Sequence, residues 1–160
     1  MSGCGDPPPT LDGGTDAGAT GDAPPTENGD LQVGTGELEF SPVVEGQTLL
    51  LARGCQGSQH VWISLRVNPA FNPRGMVVAL DFLRASDGAR RSLEFVVRLT
   101  FDMGPGVLQL AGLTLQVPEP DMAIAEDIVL VASVRDSAGR VARASRNVRI
   151  AWGTETCMSF

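Results

Sequence analysis

Apolar and polar side chains alternate with a period of two along residues 60–67, and the stretch from Gly54 to Val67 organises the chain. Val61, Ile63, Leu65 and Val67 fall on one side; His60, Trp62, Ser64 and Arg66 fall on the other. A period of two marks a half-buried strand. A glycine-rich turn bearing Cys55 leads into it, and the pattern predicts a central strand. The alternation recurs over residues 76–85, with Met76, Val78, Leu80 and Phe82 inward, and over residues 91–102, with Leu93, Phe95, Val97, Leu99 and Phe101 inward.

Between these runs the chain punctuates itself. Residues 31–40 read as an opening strand, interrupted by a bulge or kink at Gly34 and Gly36. Ser41-Pro42 and Glu45-Gly46 read as turns. Residues 48–53 form a short apolar strand. Residues 107–117 form another, whose phase slips at Ala111-Gly112 as a bulge requires. Residues 118–121 read as a loop with room for one helical turn. Residues 127–135 and 140–152 form a closing hairpin around Asp136-Ser137-Ala138-Gly139, with glycine where positive φ is needed. About eight short strands with Gly/Pro turns and no helix-period segment predict an all-β sandwich.

Composition divides the chain in two. Residues 1–30 hold five prolines, one leucine, no aromatic residue and six acids without a base. Such a segment buries too little apolar surface to offset the entropy of ordering it, so a disordered acidic tether is expected there. Residues 31–160 are long enough for an independent core. The formal charge of −7 leaves −1 on this part once the tether's −6 is removed. A nearly neutral domain lacks the clustered basic excess of a nucleic-acid binder. All twelve basic residues are arginine.

The three cysteines are Cys4, Cys55 and Cys157. Met1-Ser2-Gly3-Cys4 resembles the lipidation site of bacterial lipoproteins: an apolar residue, two small ones, then the cysteine that is acylated. The acidic, Pro/Gly/Thr-rich stretch behind it resembles the tether of surface lipoproteins. The basic and apolar regions of a signal peptide do not precede Cys4, so either the true start lies upstream of Met1 or the resemblance is accidental. Removing Cys4 from the count leaves Cys55 and Cys157 as an even pair. A bridge between them would close a loop of about a hundred residues, worth roughly 4–5 kcal/mol by chain entropy. Two buried free thiols are the alternative.

The last hairpin, VLVASVRDSAGRVARASRNVRIAW, resembles the final two strands of bacterial immunoglobulin-like modules. GCQGSQHVW is similar to a stretch of uncharacterised myxobacterial-type lipoproteins. The resemblance implies an immunoglobulin-like β-sandwich of about seven or eight antiparallel strands. It also implies that part of the first strand can pair in parallel with the last one, and residues 48–53 are the strand that Cys55 follows. That pairing would bring the ends after residues 53 and 152 together, within the 4.4–6.8 Å Cα separation that a Cys55–Cys157 disulfide needs.

Catalytic patterns are absent from the sequence. His60 is the one histidine, with no orienting carboxylate, nucleophile elbow or phosphate loop beside it. The expectation is therefore no enzyme, no cofactor and no metal. Glu126-Asp127 and Glu119 with Asp121 are the acids that could supply oxygens to Ca²⁺, and solvated loop acids are the plainer reading. His60, Trp62 and Arg66 share one strand face and form the candidate ligand-binding patch, since Trp and Arg dominate binding hot spots. The plainer reading is that a loop covers Trp62 or that the faces are reversed. Arg135, Arg140, Arg143, Arg146 and Arg149 crowd the last hairpin, facing either an anionic partner or solvent, where they would blunt edge pairing. Arg146 is out of character, because it shares the face of Ala142, Ala144, Val148 and Ile150.

These readings combine into a non-enzymatic envelope lipoprotein. Residues 1–30 are the tether, and residues 31–160 an immunoglobulin-like module for interaction or structure, with outer-membrane anchoring expected. A protein or polysaccharide is the expected partner, and nucleic acid is not. The alternative is a carbohydrate- or small-ligand-binding module using the Trp62 face; a concave pocket at Trp62 would favour it and a flat face would favour protein contact.

Overall fold

A computed structural model describes residues 29–55 and 57–154. The alternating stretches become strands: β1 (Leu31–Thr35), β2 (Ser41–Pro42), β3 (Gln47–Arg53), β4 (Gln59–Val67), β5 (Met76–Arg84), β6 (Phe95–Leu99), β7 (Asp102–Gly104), β8 (Val107–Gln116), a short helix α1 (Pro120–Ala125), β9 (Ile128–Arg135) and β10 (Val141–Trp152). All ten strands belong to one mixed sheet that curls on itself. One arm runs β2-β1-β4-β8-β7, and the other runs β10-β9-β5-β6. This is ten strands and not seven or eight, because Ser41-Pro42 adds β2 and β6 and β7 stand where one strand was expected over residues 91–102.

β3 joins the arms. Its last residues pair antiparallel with β4, Leu51 opposite Val61 and Arg53 opposite Gln59. Its first five pair in parallel with β10, Gln47 opposite Val148 through Leu51 opposite Trp152. A strand that changes partners midway bends the sheet until its two inner faces meet. The inward residues of β4 and β5 are all buried, as their alternation predicts, and they form one core with Leu130, Ala132 and Val134 of β9 and Ala142, Ala144 and Ile150 of β10. Replacing one of the largest, Phe82, by alanine would cost about 3–5 kcal/mol.

The differences from expectation have local causes. Ser41-Pro42 is a strand, not a turn: it pairs with Gly34 and Thr35, and residues 36–40 make the turn. Proline is tolerated there because β2 is an edge. Residues 91–94 are not part of a strand. The Ser92 hydroxyl accepts the Phe82 N–H at 3.0 Å in place of a backbone carbonyl, and Leu93 N–H turns away to Gln116 O at 2.9 Å. Leu93 is consequently exposed, against its predicted inward place. The slip at Ala111-Gly112 is real: the β4–β8 register shifts between Ile63 and Leu65, and Gly112 has φ +76°.

Carboxylates fix both ends of the fold. At the β9–β10 turn, Asp136 is buried and accepts the N–H groups of Asn72, Ala138 and Arg140 at 2.9–3.0 Å. At the other end, Glu126 beyond α1 accepts from Arg91 and Arg84, while Arg84 also holds Asp87. Asp127 pairs with Arg149 at 2.7 Å. The acids considered for Ca²⁺ at residues 126–127 are thus committed to arginines, and Glu119 and Asp121 lie exposed.

Asp87, Glu126 and Asp136 are held below their ordinary range. Arg84, with help from the Ala89 N–H, takes Asp87 to about 2. Arg91 and then Arg84 lower Glu126, and the Asn72, Arg140 and Ala138 amides lower Asp136. Depressed carboxylates stabilise above their unfolded values of about 4, and the contribution is lost as pH falls through the folded values. Denaturant midpoints should therefore be flat from pH 7 to about 5 and fall steadily toward pH 2. Asp136→Asn should lower the midpoint strongly at pH 7 and hardly at pH 2; an equal loss at both would remove the charge from this account.

Candidate functional site

The outward residues of β4 do not all face water. The reason lies in how its edges are shared. β8 takes one edge along the length of β4. The other edge is divided, β1 taking residues 63–67 and β3 residues 59–61. β1 and β3 diverge from that point because β3 leaves for β10. The gap between them opens directly beside Trp62.

The β1–β2 turn folds over this outer face. It can do so because three glycines lack a side chain where one would collide. A Cβ on Gly34 would stand 2.5 Å from the Phe40 ring and 2.6 Å from Ser41 O. One on Gly112 would stand 2.7 Å from Glu37 O. Gly36 adopts φ +126°, open to glycine alone, and its carbonyl accepts the Gly112 N–H at 3.3 Å. Thr35 Oγ1 donates to Trp62 O at 2.7 Å, and the buried Ser64 donates to Thr35 O at 3.0 Å. The Phe40 ring lies 4.3 Å from the Arg66 guanidinium, whose Nε donates to Gln109 Oε1 at 3.0 Å.

The result is a cleft of about 410 Å³. Trp62 forms part of its wall, with Glu37, Ser41, Gln47 and Thr48 contributing polar groups and Leu50 an apolar one. Gln47 is held in place by accepting the Val44 N–H at 3.0 Å. Exposed leucine at Leu50, 60% accessible, gives the cleft an apolar lip. His60 stands edge-on to Trp62 at 4.7 Å and 85°, which fixes the indole from behind.

The three residues of the predicted patch are therefore outward, as their phase requires, but divided. Trp62 lines the cleft, His60 supports it, and Arg66 lies beyond Phe40 in a separate shallow groove shared with Arg146. Arg146 keeps the inward phase of β10 without a slip; its Nε donates to Val43 O at 3.2 Å and its Nη1 to Ser145 O at 2.8 Å. Glu37, Gln47 and Thr48 carried no periodic signal in the sequence. The glycines at 34 and 36 were the only pointer to a turn that returns over the sheet. Cys4 and Cys157 lie outside the described residues. Among the described residues no group of three or more His, Cys, Asp or Glu is placed to hold a metal ion, and no helix is long and apolar enough to cross a membrane. No protein-family model matches this chain, and no curated protein matches it significantly.

The His60 imidazole is held below its ordinary value, chiefly because burial penalises the cation, with Glu37 pulling the other way. Its Nε2 is shut off from solvent and has no partner among the described residues. His60 should thus titrate below about 6.5, and Glu37→Gln should lower it further. NMR titration of the ring protons checks this; an ordinary value insensitive to Glu37 would show that the turn does not close over β4.

Proposed function

We propose that this domain is a non-enzymatic binding module, that the Trp62 cleft is its ligand site, and that its ligand is a saccharide or a similar small polar molecule with one apolar face. The single observation carrying this is the concavity itself. A flat Trp62 face would have favoured protein contact, whereas an indole wall opposed by a carboxylate, a carboxamide and two hydroxyls suits a ligand that stacks on one side and hydrogen-bonds on the other. Among the described residues Glu37 is the one carboxylate in the cleft wall, whereas acid–base hydrolysis of a glycoside generally uses two.

The module reads as immunoglobulin-like. Its support is the parallel pairing of β3 with the last strand and the assignment of β9, β10 and β5 to one arm with β1, β4 and β8 in the other. A Cys55–Cys157 bridge fits the same pairing. The β3–β10 register keeps a constant offset of 101 positions, from Gln47 opposite Val148 to Leu51 opposite Trp152. Cys157 lies within one position of that offset from Cys55. A disulfide in turn fits an oxidising envelope compartment, where acylation of Cys4 would tether the domain.

The cleft is tested by titrating soluble protein with defined oligosaccharides while following Trp fluorescence in a Trp152→Phe background. Binding should be saturable, and Trp62→Ala should weaken it at least tenfold with the fold intact by circular dichroism. Saturable binding that survives Trp62→Ala would move the site elsewhere.

The cysteine assignments share one experiment. Secreted from a lipoprotein-competent host, the chain should fractionate with membranes and Cys4→Ser should release it. The released, denatured Cys4→Ser protein should show no reactive thiol. Two thiols would disprove the bridge, and equal membrane recovery of both forms would disprove the anchor.

A further inference from the structure

The outer face of the β10-β9-β5-β6 arm is unlike the rest of the surface. Its side chains register in rows across the strands. One row reads Val141, Arg135, Val77, Arg98; the next reads Arg143, Ser133, Ala79, Val96. Val96 and Val141 are substantially exposed, so the arginines stand among aliphatic side chains at one end of the sheet. Arg74, in the loop before β5, belongs to the same end.

These arginines differ from the others in their pairing. Arg84, Arg90, Arg91 and Arg149 each meet a carboxylate within 3.0 Å. Among the described residues, Arg74, Arg98, Arg135 and Arg143 meet none. The nearby acids are engaged or turned away: Asp136 points in to three amides, Asp81 pairs with Arg90 at 2.8 Å, Asp30 accepts from Asn68, and Asp102 lies on β7 of the other arm.

We propose that the acidic N-terminal segment, residues 1–28, docks back onto this arginine-bearing face. Three observations select that occupant. The first is charge: the segment carries Asp6, Asp12, Asp16, Asp22 and Glu27 and no basic residue. The second is where the described chain begins. Asp30 O accepts the Asn68 N–H at 2.9 Å, and four residues on, Asn72 bonds Asp136 and Ser137 of the turn that follows Arg135. The segment is thus rooted at the arginine-rich end of the fold, and covalent attachment there raises its effective concentration to about the millimolar range. The third is spacing. Acids four to six residues apart stand roughly 13–20 Å apart in extended chain. Three steps between strands of about 4.8 Å separate Arg143 from Arg98 by roughly 15 Å. An unattached polyanion would have to displace the resident acids.

The test uses the full chain as Cys4→Ser, with small-angle scattering at about 0.01 M and about 1 M salt, where screening lengths are roughly 30 and 3 Å. A docked tail makes the radius of gyration rise by several ångströms at high salt. An undocked acidic tail does the reverse, because its own repulsion extends it at low salt. The sign of the change therefore decides. Neutralising the tail (Asp6→Asn, Asp12→Asn, Asp16→Asn, Asp22→Asn, Glu27→Gln) leaves the folded part untouched and should abolish the salt-induced expansion, as should Arg98→Gln, Arg135→Gln and Arg143→Gln together. Contraction of the parent chain at high salt would overturn the proposal. So would polyglutamate binding to the arginine face with the parent chain's dimensions unchanged, which would assign the face to a separate anionic partner.

Discussion

The change of partner within β3 is the constraint on which the molecule depends. Backbone donors and acceptors must be matched along every buried strand. β3 meets that demand by pairing with β4 at its end and with β10 at its beginning. These two partners take opposite edges of β3 and overlap only at Leu51, so β3 is the ladder that links the arms, and the curled sheet encloses the core between them. Leu51 is the pivot, paired with Val61 on one side and Trp152 on the other, and it is fully buried.

The same departure creates the cleft. Where β3 turns toward β10, β4 loses a neighbour before β1 begins to replace it. A sheet with β1 and β3 as one uninterrupted strand would have no opening beside Trp62. The geometry of the cleft is therefore not added to the fold by a long loop. It is the place where two hydrogen-bonding obligations could not be met by one straight strand. The short turn over the top needs only three glycines at residues 34, 36 and 112 to lie close against the sheet.

The sequence made the strands legible because period-two alternation is a direct image of burial. β4, β5, β9 and β10 were readable to within about two residues. So was the bulge at Ala111-Gly112, where a slip in phase has no other local meaning. Two things were not readable. Ser92 replaces a backbone carbonyl with its hydroxyl, and a hydroxyl in an alternating run looks like any polar outward residue. The cleft brings residues 35–41 to residues 47–52 and Trp62, and that meeting follows from pairing between strands distant in sequence. Trp62 could be recognised as outward; what stood opposite it could not. Arg146 was readable as an anomaly and proved to be one in fact, a cation kept on the inward face by carbonyl partners.

The N-terminal segment joins β1 at one end of the barrel-like body, and the cleft opens toward the other. β1 runs between them, bonded along its whole length to β4 from Leu31 opposite Val67 to Thr35 opposite Ile63. A force applied between the N-terminal segment and the cleft would therefore pull along the β1 axis. Its hydrogen bonds would be loaded together, in shear, and not peeled one after another from an end. Forced unfolding is governed by the rate of crossing the unfolding barrier, and a five-residue strand that must slide as a unit sets a higher barrier than one that unzips. The direction in which the chain enters β1 thus sets how such a load would pass through the body, lengthwise along the strand.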